Sequence, residues 1–188
     1  MRIISGQFKG KKILEPKDKN TRPLKDLTKE SIFNIINHSN KFKILLNTAS
    51  ILDIFSGVGS FGIECLSRGA KNVTFIENYK NVLNILKTNL NNLQTINNYK
   101  IIEKNAYEIN TLTKLNEKFD IIFLDPPYND KNIELLLNNI LKENTLNTNG
   151  IIIMHRHKNA KDIIPMKLKI IEQKQYGISK IIFIKHLN

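Results

Sequence analysis

The segment Ile51-Leu-Asp-Ile-Phe-Ser-Gly57-Val-Gly59-Ser-Phe-Gly62-Ile-Glu-Cys-Leu66 constrains the fold more than any other stretch of the chain. It reads as a short apolar strand, a Gly-x-Gly-x-x-Gly turn and the opening of a helix. Glycines there let the backbone adopt positive φ and approach a ligand closely. The free amides of a new helix give the turn a polar rim. Further strand candidates follow at Asn72–Glu77, Lys100–Lys104, Phe119–Leu124 and Gly150–His155. Helical patterns near Ser60–Arg68, Tyr79–Leu93, Ala106–Leu115 and Lys131–Lys142 lie between them. This alternation predicts an α/β fold with a doubly wound, mainly parallel sheet and right-handed crossovers. The end of the chain departs from it. Lys167–Tyr176 and Lys180–His186 flank Gly177-Ile-Ser179 and predict an antiparallel hairpin, bringing the strands of the sheet to seven.

The residues before the glycine segment form a different unit. Residues 2–14 predict two short strands around Gly6-Gln-Phe-Lys-Gly10-Lys-Lys12. After the loop Glu15–Pro23, Asp26 or Thr28 is expected to cap a helix running to about His38, with Leu27, Ile32, Phe33, Ile35 and Ile36 in its apolar stripe. The chain therefore divides into an N-terminal β-hairpin and helix extension over 1–40 and a main domain over 41–188. At 188 residues it is long enough to bury a real core. It contains no apolar run long enough to cross a bilayer and no long apolar leader near Met1. Cys65 is its only cysteine, which excludes an internal disulfide. A cytoplasmic protein is expected, with a monomer as the default.

Charge narrows the class of partner. Lysine and arginine outnumber the acids 29 to 17, giving a net charge of +12, which favours a polyanion such as nucleic acid over a small acidic substrate. The basic residues are 25 Lys against 4 Arg, a skew that resembles AT-rich coding bias. Such bias would raise Glu as well, so it does not account for the excess.

Chemistry concentrates at two places. Asp125-Pro126-Pro127-Tyr128 follows the apolar run Phe119–Leu124, where a central parallel strand should end and where open α/β sheets bind ligands. Asp125 offers a carboxylate, Pro126 a carbonyl in a stiff loop, and Tyr128 a face on which a base can stack. Two acceptors beside a ring suit the exocyclic amine of a nucleobase. The plainer reading is that Pro-Pro ends a strand and Asp125 caps the next helix. The other place is the glycine turn itself. Glu77, ending the next strand, is positioned to accept both hydroxyls of a ribose, an arrangement that nicotinamide dinucleotides share. Asp53 points away from them: an acid before the turn opposes a pyrophosphate and tolerates a cationic ligand, unless it only ties down the loop. Asn105-Ala106, ending the third strand, would lie near an adenine edge.

With those residues in view, the chain resembles the RsmD family of bacterial 16S rRNA (guanine-N2)-methyltransferases, nearly end to end. The resemblance rests on Arg2-Ile-Ile-Ser-Gly-Gln-Phe-Lys-Gly-Lys-Lys12, on Arg22-Pro23 through Asp26, Glu30, Phe33 and Asn34, and on Leu52–Ala70. Phe75-Ile-Glu77, Asp125–Tyr128 and Tyr176-Gly177 complete it. It implies a Rossmann-like class I S-adenosylmethionine-dependent methyltransferase fold. It implies adenosylmethionine held by Asp53, Ser56, Gly57, Gly59, Glu77, Asn105 and Ala106, and Asp125, Pro126 and Tyr128 at the reacting amine. The implied product is N2-methylguanine in small-subunit 16S rRNA, at the position conventionally numbered guanine 966. Arg2, Lys9, Lys11, Lys12, Arg22 and Lys25 are expected to contact the rRNA backbone, or else to form a solvated edge that protects the first hairpin from aggregation. Where the family often carries an acid after the fifth strand, this chain has Met154-His155-Arg156-His157. A metal site would want further ligands, so the two histidines are expected to face solvent or rRNA. The alternatives left open are a DNA adenine-N6 methyltransferase, a nicotinamide-dependent oxidoreductase and a nucleic-acid-binding module with a vestigial cofactor site.

Overall fold

Strand runs such as Phe119-Asp-Ile-Ile-Phe-Leu124 are apolar on both faces, the mark of a strand covered on both sides. The computed structural model describes residues 1–16 and 24–187. In it, strands β1 (Ser50–Ile54), β2 (Asn72–Ile76), β3 (Tyr99–Ile102), β4 (Phe119–Leu124), β5 (Leu146–His157), β6 (Leu168–Tyr176) and β7 (Ser179–His186) form one sheet. Their order is β3-β2-β1-β4-β5-β7-β6. The first five pair in parallel, and β7 runs antiparallel to both β5 and β6. The order reverses between β1 and β4, so the carboxyl ends of those two strands open the crevice where ligands bind in such sheets.

The helices are α1 (Asp26–His38), α2 (Ser60–Ser67), α3 (Lys80–Asn91), α4 (Ile109–Thr113) and α5 (Ile133–Lys142). Alternate strand residues feed two cores. Ile51, Phe123, Ile153 and Phe183 cluster with residues of α1, α2 and α3. Leu52, Leu124, Met154 and Ile184 cluster with those of α4 and α5. Burying side chains of this size stabilises by roughly 1.5–3 kcal/mol each.

Four predicted elements differ. The first hairpin is reduced to a bridge between Arg2 and Lys12, with Ile3 N–H donating to the Lys11 carbonyl at 2.9 Å and Ile13 N–H to the Met1 carbonyl at 3.0 Å, because its other backbone donors go elsewhere. Ile4 and Ser5 donate to the Glu64 carboxylate at 2.8 and 2.9 Å, and Gln7 donates to the Ser67 carbonyl at 2.7 Å. The close approach requires Gly6: a Cβ there would lie 1.9 Å from the Ser67 carbonyl oxygen. Strand β5 starts at Leu146 rather than Gly150, with an irregular register between Phe119 and Ile121. Gly150 fits this crowded kink, since a Cβ would come within 3.0 Å of the Phe119 carbonyl. Helix α4 covers only part of the predicted span, and α1 begins behind Lys25 with no side-chain cap from Asp26 or Thr28.

The N-terminal extension shares the core of the main domain rather than standing apart. Ile3, Phe8, Ile13, Ile32 and Phe33 pack in the same cluster as Phe61 and Phe123. Beneath them, Lys29 is fully buried with its Nζ 3.6 Å from the Glu64 carboxylate and 2.8 Å from the Arg2 carbonyl. Burial pulls the Lys29 ammonium below its ordinary range, and Glu64 opposes the shift. Arg68 completes the pairing, donating to Glu64 at 2.8 Å. Asn89 of α3 clamps Leu14 through both its backbone donor and acceptor.

Candidate active site

The crevice between β1 and β4 is a cavity of about 860 Å³, within the size range of cofactor sites. Asp53, Ser56, Gly57 and Glu77 line one side; Asp125, Pro126 and Tyr128 line the other. Seven of the ten predicted cofactor and catalytic residues therefore meet in one space.

The glycine-turn side is built from backbone contacts. Phe55, Gly57 and Gly59 all take positive φ, at 61°, 55° and 88°, which costs little for the glycines and is strained for Phe55. Gly59 stands behind the cavity wall, where a Cβ would meet Leu86 Cδ1 at 2.5 Å. Asp53 is buried and accepts the Gly62 N–H at 2.9 Å, so it does tie down the start of α2 while also facing the cavity. Burial pushes its carboxyl well above the usual range. The Gly62 amide opposes that shift, and the nearby Asp125 and Glu77 charges add to it. The Glu77 carboxylate accepts Gly57 N–H on Oε2 and Asn78 and Tyr79 N–H on Oε1, each at 2.8 Å. Of the roughly four acceptor positions of a carboxylate, these bonds occupy three. Ser56 directs its hydroxyl to the Ile76 carbonyl at 3.4 Å.

Asn105 and Ala106 are not brought to the cavity wall. The Asn105 side chain accepts the Tyr107 N–H at 3.0 Å and its carbonyl accepts the Thr111 hydroxyl at 2.8 Å. It shapes the turn into α4, as Asn commonly does, and Ala106 is buried in the core beside Leu112.

The tetrad side is built from side chains on neighbouring strands. Leu124 pairs with Met154, so the next residues, Asp125 and His155, stand side by side. His155 Nδ1 lies 2.8 Å from Asp125 Oδ1, and Nε2 lies 2.9 Å from Ser179 Oγ on β7. His155 is 5% exposed. The expectation of a solvent-facing pair is therefore corrected: β7 and the tetrad cover His155, whereas His157 is half-buried at the cavity rim. Tyr128 meets both imidazoles edge-on, with centroids 5.9 and 5.4 Å away, and its hydroxyl is 3.3 Å from Ser179 Oγ.

Arg156 points the other way and fixes the tetrad loop. It is buried, pairs with Asp162 through Nε and Nη2, and donates to the Pro127 and Asp130 carbonyls at 3.3 and 2.7 Å. Sequence reasoning missed Arg156, Asp162 and Ser179 as supports of the site. The available signal was register, because the strand beside the tetrad strand must present its next residues to it.

Of the predicted nucleic-acid contacts, Arg2, Lys9, Lys12 and Lys25 are exposed. Arg2 lies 3.6 Å from Asp26. Lys11 is also exposed, but donates to the Asn92 carbonyl at 2.9 Å and sits over the Phe8 ring. Lys25 follows Leu24, which lines the cavity. Arg22 lies outside the described residues. Among the described residues, no acid, histidine and cysteine cluster could hold a metal, and no helix is long and apolar enough to cross a membrane.

A mainly parallel sheet closed by an antiparallel strand, with ligand groups at the carboxyl ends of β1, β2 and β4, defines the Rossmann-like methyltransferase class. Within it, the chain belongs to the RsmD family. The family model described as "Conserved hypothetical protein 95" matches residues 1–185. Ribosomal RNA small subunit methyltransferase D of Haemophilus influenzae is 32% identical over 179 residues, covering 95% of this chain and 90% of that protein. The solved structure of yhhF from Escherichia coli matches with a TM-score of 0.84 at 26% identity, over 100% of this chain and 98% of that one. A more distant structure, SMU.776 complexed with SAH, shares the fold with a TM-score of 0.66 at 16% identity, over 85% of this chain and 49% of its own.

Proposed function

We propose that this protein transfers a methyl group from S-adenosylmethionine to the exocyclic N2 of a guanine in 16S rRNA, at the position numbered 966. The observation that carries the reading is the pairing, within one cavity, of an acid-lined glycine turn with Asp125 and Tyr128 at the adjacent strand end. Three carboxylates, Asp53, Glu77 and Asp125, line that cavity. Glu77 and Asp125 would repel a pyrophosphate and suit a ligand bearing ammonium and sulfonium charges, and a cationic group beside the buried Asp53 would favour its carboxylate over the protonated form, so the residues present fit this cofactor better than a dinucleotide. Glu77 would accept the ribose hydroxyls, exchanging one of its backbone partners to take both. Asp53, with the Gly57 turn, would hold the cationic amino-acid portion.

The bound cofactor supplies a methyl group already activated by the sulfonium charge. The protein's task is to present the amine. The N2 lone pair of guanine is delocalised into the ring, which makes it a weak nucleophile. A hydrogen bond from N2–H to Asp125, with a second to the Pro126 carbonyl, holds the nitrogen and favours tetrahedral character. Positive charge develops on N2 as its bond forms, and the Asp125 carboxylate stabilises it there. The surplus proton leaves afterwards to Asp125 or water. Tyr128 stacks on the base, which must leave its own stack to reach the cavity.

The division into a 1–40 extension and a 41–188 domain is functional in this reading. The extension carries Arg2, Lys9, Lys11, Lys12 and Lys25 to the rRNA backbone, in the cytoplasm. Reversing the charge of Lys9, Lys11 and Lys12 should flatten the salt dependence of rRNA binding by about 0.7 slope units per lost phosphate contact. An unchanged slope would assign them to a solvated edge.

The deciding experiment is transfer of labelled methyl from adenosylmethionine to unmodified small subunits, naked 16S rRNA and DNA, with the product nucleoside identified by mass spectrometry. N2-methylguanosine from an rRNA substrate is expected. N6-methyladenine from DNA, or no transfer despite cofactor binding, would overturn the assignment.

A further inference from the structure

We propose that His155 is a positioning residue that fixes which oxygen of Asp125 meets the substrate amine. The inference rests on methyl transfer at this site but is read from a hydrogen-bond chain. Its links are Tyr128 OH to Ser179 Oγ at 3.3 Å, Ser179 Oγ to His155 Nε2 at 2.9 Å, and His155 Nδ1 to Asp125 Oδ1 at 2.8 Å.

Donor and acceptor counting gives the chain a direction. An ionised carboxylate only accepts, so Nδ1 of His155 must carry the proton. A neutral imidazole then has a bare Nε2, which must accept the Ser179 hydroxyl proton. With that proton committed, Ser179 Oγ meets Tyr128 as an acceptor. The order is Tyr128 to Ser179 to His155 to Asp125.

Two consequences follow. First, Oδ1 of Asp125 is committed to His155, and Oδ2 is the oxygen presented to the incoming N2–H. One imidazole thereby couples the carboxylate to the stacking ring, since Tyr128 is tied to the same Ser179 and packs edge-on against His155. Second, the chain does not drain protons from Asp125. Nδ1 already holds one, so a proton gained by the carboxylate has no vacancy to enter and leaves through the cavity, where the Asp125 side chain is 21% exposed. His155 orients Asp125 and does not relay its proton.

The test compares His155→Ala, His155→Asn and His155→Gln in the full-length protein. The Asn amide nitrogen occupies the place of Nδ1, whereas the Gln amide reaches toward that of Nε2. His155→Ala should lower kcat by about ten- to hundredfold, the scale of a misplaced reacting group, with cofactor Kd and KM for rRNA unchanged. Asn should restore most of the rate and Gln little. Wild-type kcat in a folded Ala variant, or equal rescue by Gln and Asn, would overturn the proposal. Should the Ala variant fail to fold, the Asn and Gln pair alone decides. Nitrogen-15 shifts of the wild-type imidazole give a readout independent of turnover. A bare Nε2 and protonated Nδ1 are expected, and the reverse tautomer would overturn the proposal even if methyl transfer is confirmed. A wild-type protein that shows the expected tautomer but methylates no amine would instead defeat the functional reading.

Discussion

The two halves of the cavity are held in place by different means. On the glycine-turn side, Asp53 and Glu77 are satisfied by backbone amides within a few residues of the turn and of β2's end. On the tetrad side, Asp125 is held by a histidine from β5, which is held by a serine from β7, while Arg156 and Asp162 secure the loop behind it. The first half is closed by backbone amides at two adjacent strand ends. The second is assembled from three strands and can be taken apart one side chain at a time. Such a split suits the proposed function, in which one half receives the methyl donor and the other must fit a particular base.

Three substitutions sharpen this contrast. Asp162→Ala should have the largest effect, because it strips the partner from the buried Arg156. Leaving one charge of a buried pair uncompensated costs about 3–5 kcal/mol, to be read from urea unfolding. If instead the loss is confined to turnover, Arg156 is held well enough by the Pro127 and Asp130 carbonyls alone. Next comes Asp125→Ala, which should lower methyl transfer by about 10²–10³-fold, as for loss of one group aimed at developing charge. Cofactor affinity measured by calorimetry should stay close to wild type. A parallel loss of affinity would show that the halves are coupled.

Asp53→Asn should have the smallest effect on turnover and the most specific signature. The folded-state carboxyl of Asp53 is raised well above its unfolded value, mainly by burial. The native state therefore keeps a proton that the unfolded chain releases above about pH 3.9. Its contribution to stability is complete below that pH and is lost as pH rises through the folded pKa. The Asn variant keeps an acceptor for Gly62 and has no such proton, so it should gain stability relative to wild type as pH rises. Adenosylmethionine should bind it about tenfold more weakly, a difference of ~1.4 kcal/mol. Equal affinity would mean that Asp53 serves the turn alone.

The same contrast explains what could be read in advance. Ile51–Leu66 announces its own conformation, because positive φ at Gly57 and Gly59 and the apolar strand before them are local requirements. The run Phe119–Leu124 ending in Asp-Pro-Pro-Tyr likewise places Asp125 at a strand end without reference to any neighbour. His155 gave the opposite impression. Alternation along one strand puts His155 and His157 on one face, but it cannot say that β7 covers the first and leaves the second half-exposed. Asn105 is ambiguous for a related reason: its type fits a turn or a ligand contact equally, and it makes turn bonds to Tyr107 and Thr111.

The first hairpin shows the limit from another side. Residues 2–14 carry strand-like residues between glycines, yet Ile4, Ser5 and Gln7 give their amides to α2 instead of a partner strand. The sequence by itself determined the α/β alternation, the glycine turn, the tetrad at a strand end and the antiparallel finish, because each rests on periodicity or backbone preference within a few residues. Only the tertiary structure decided that Lys29 and Glu64 bury their charges together, that Arg156 grips the tetrad loop, and that Ser179 and His155 direct Asp125. Those partners are separated in sequence by 24 to 35 residues in most cases, and their pairing depends on sheet order and register, which no local pattern specifies.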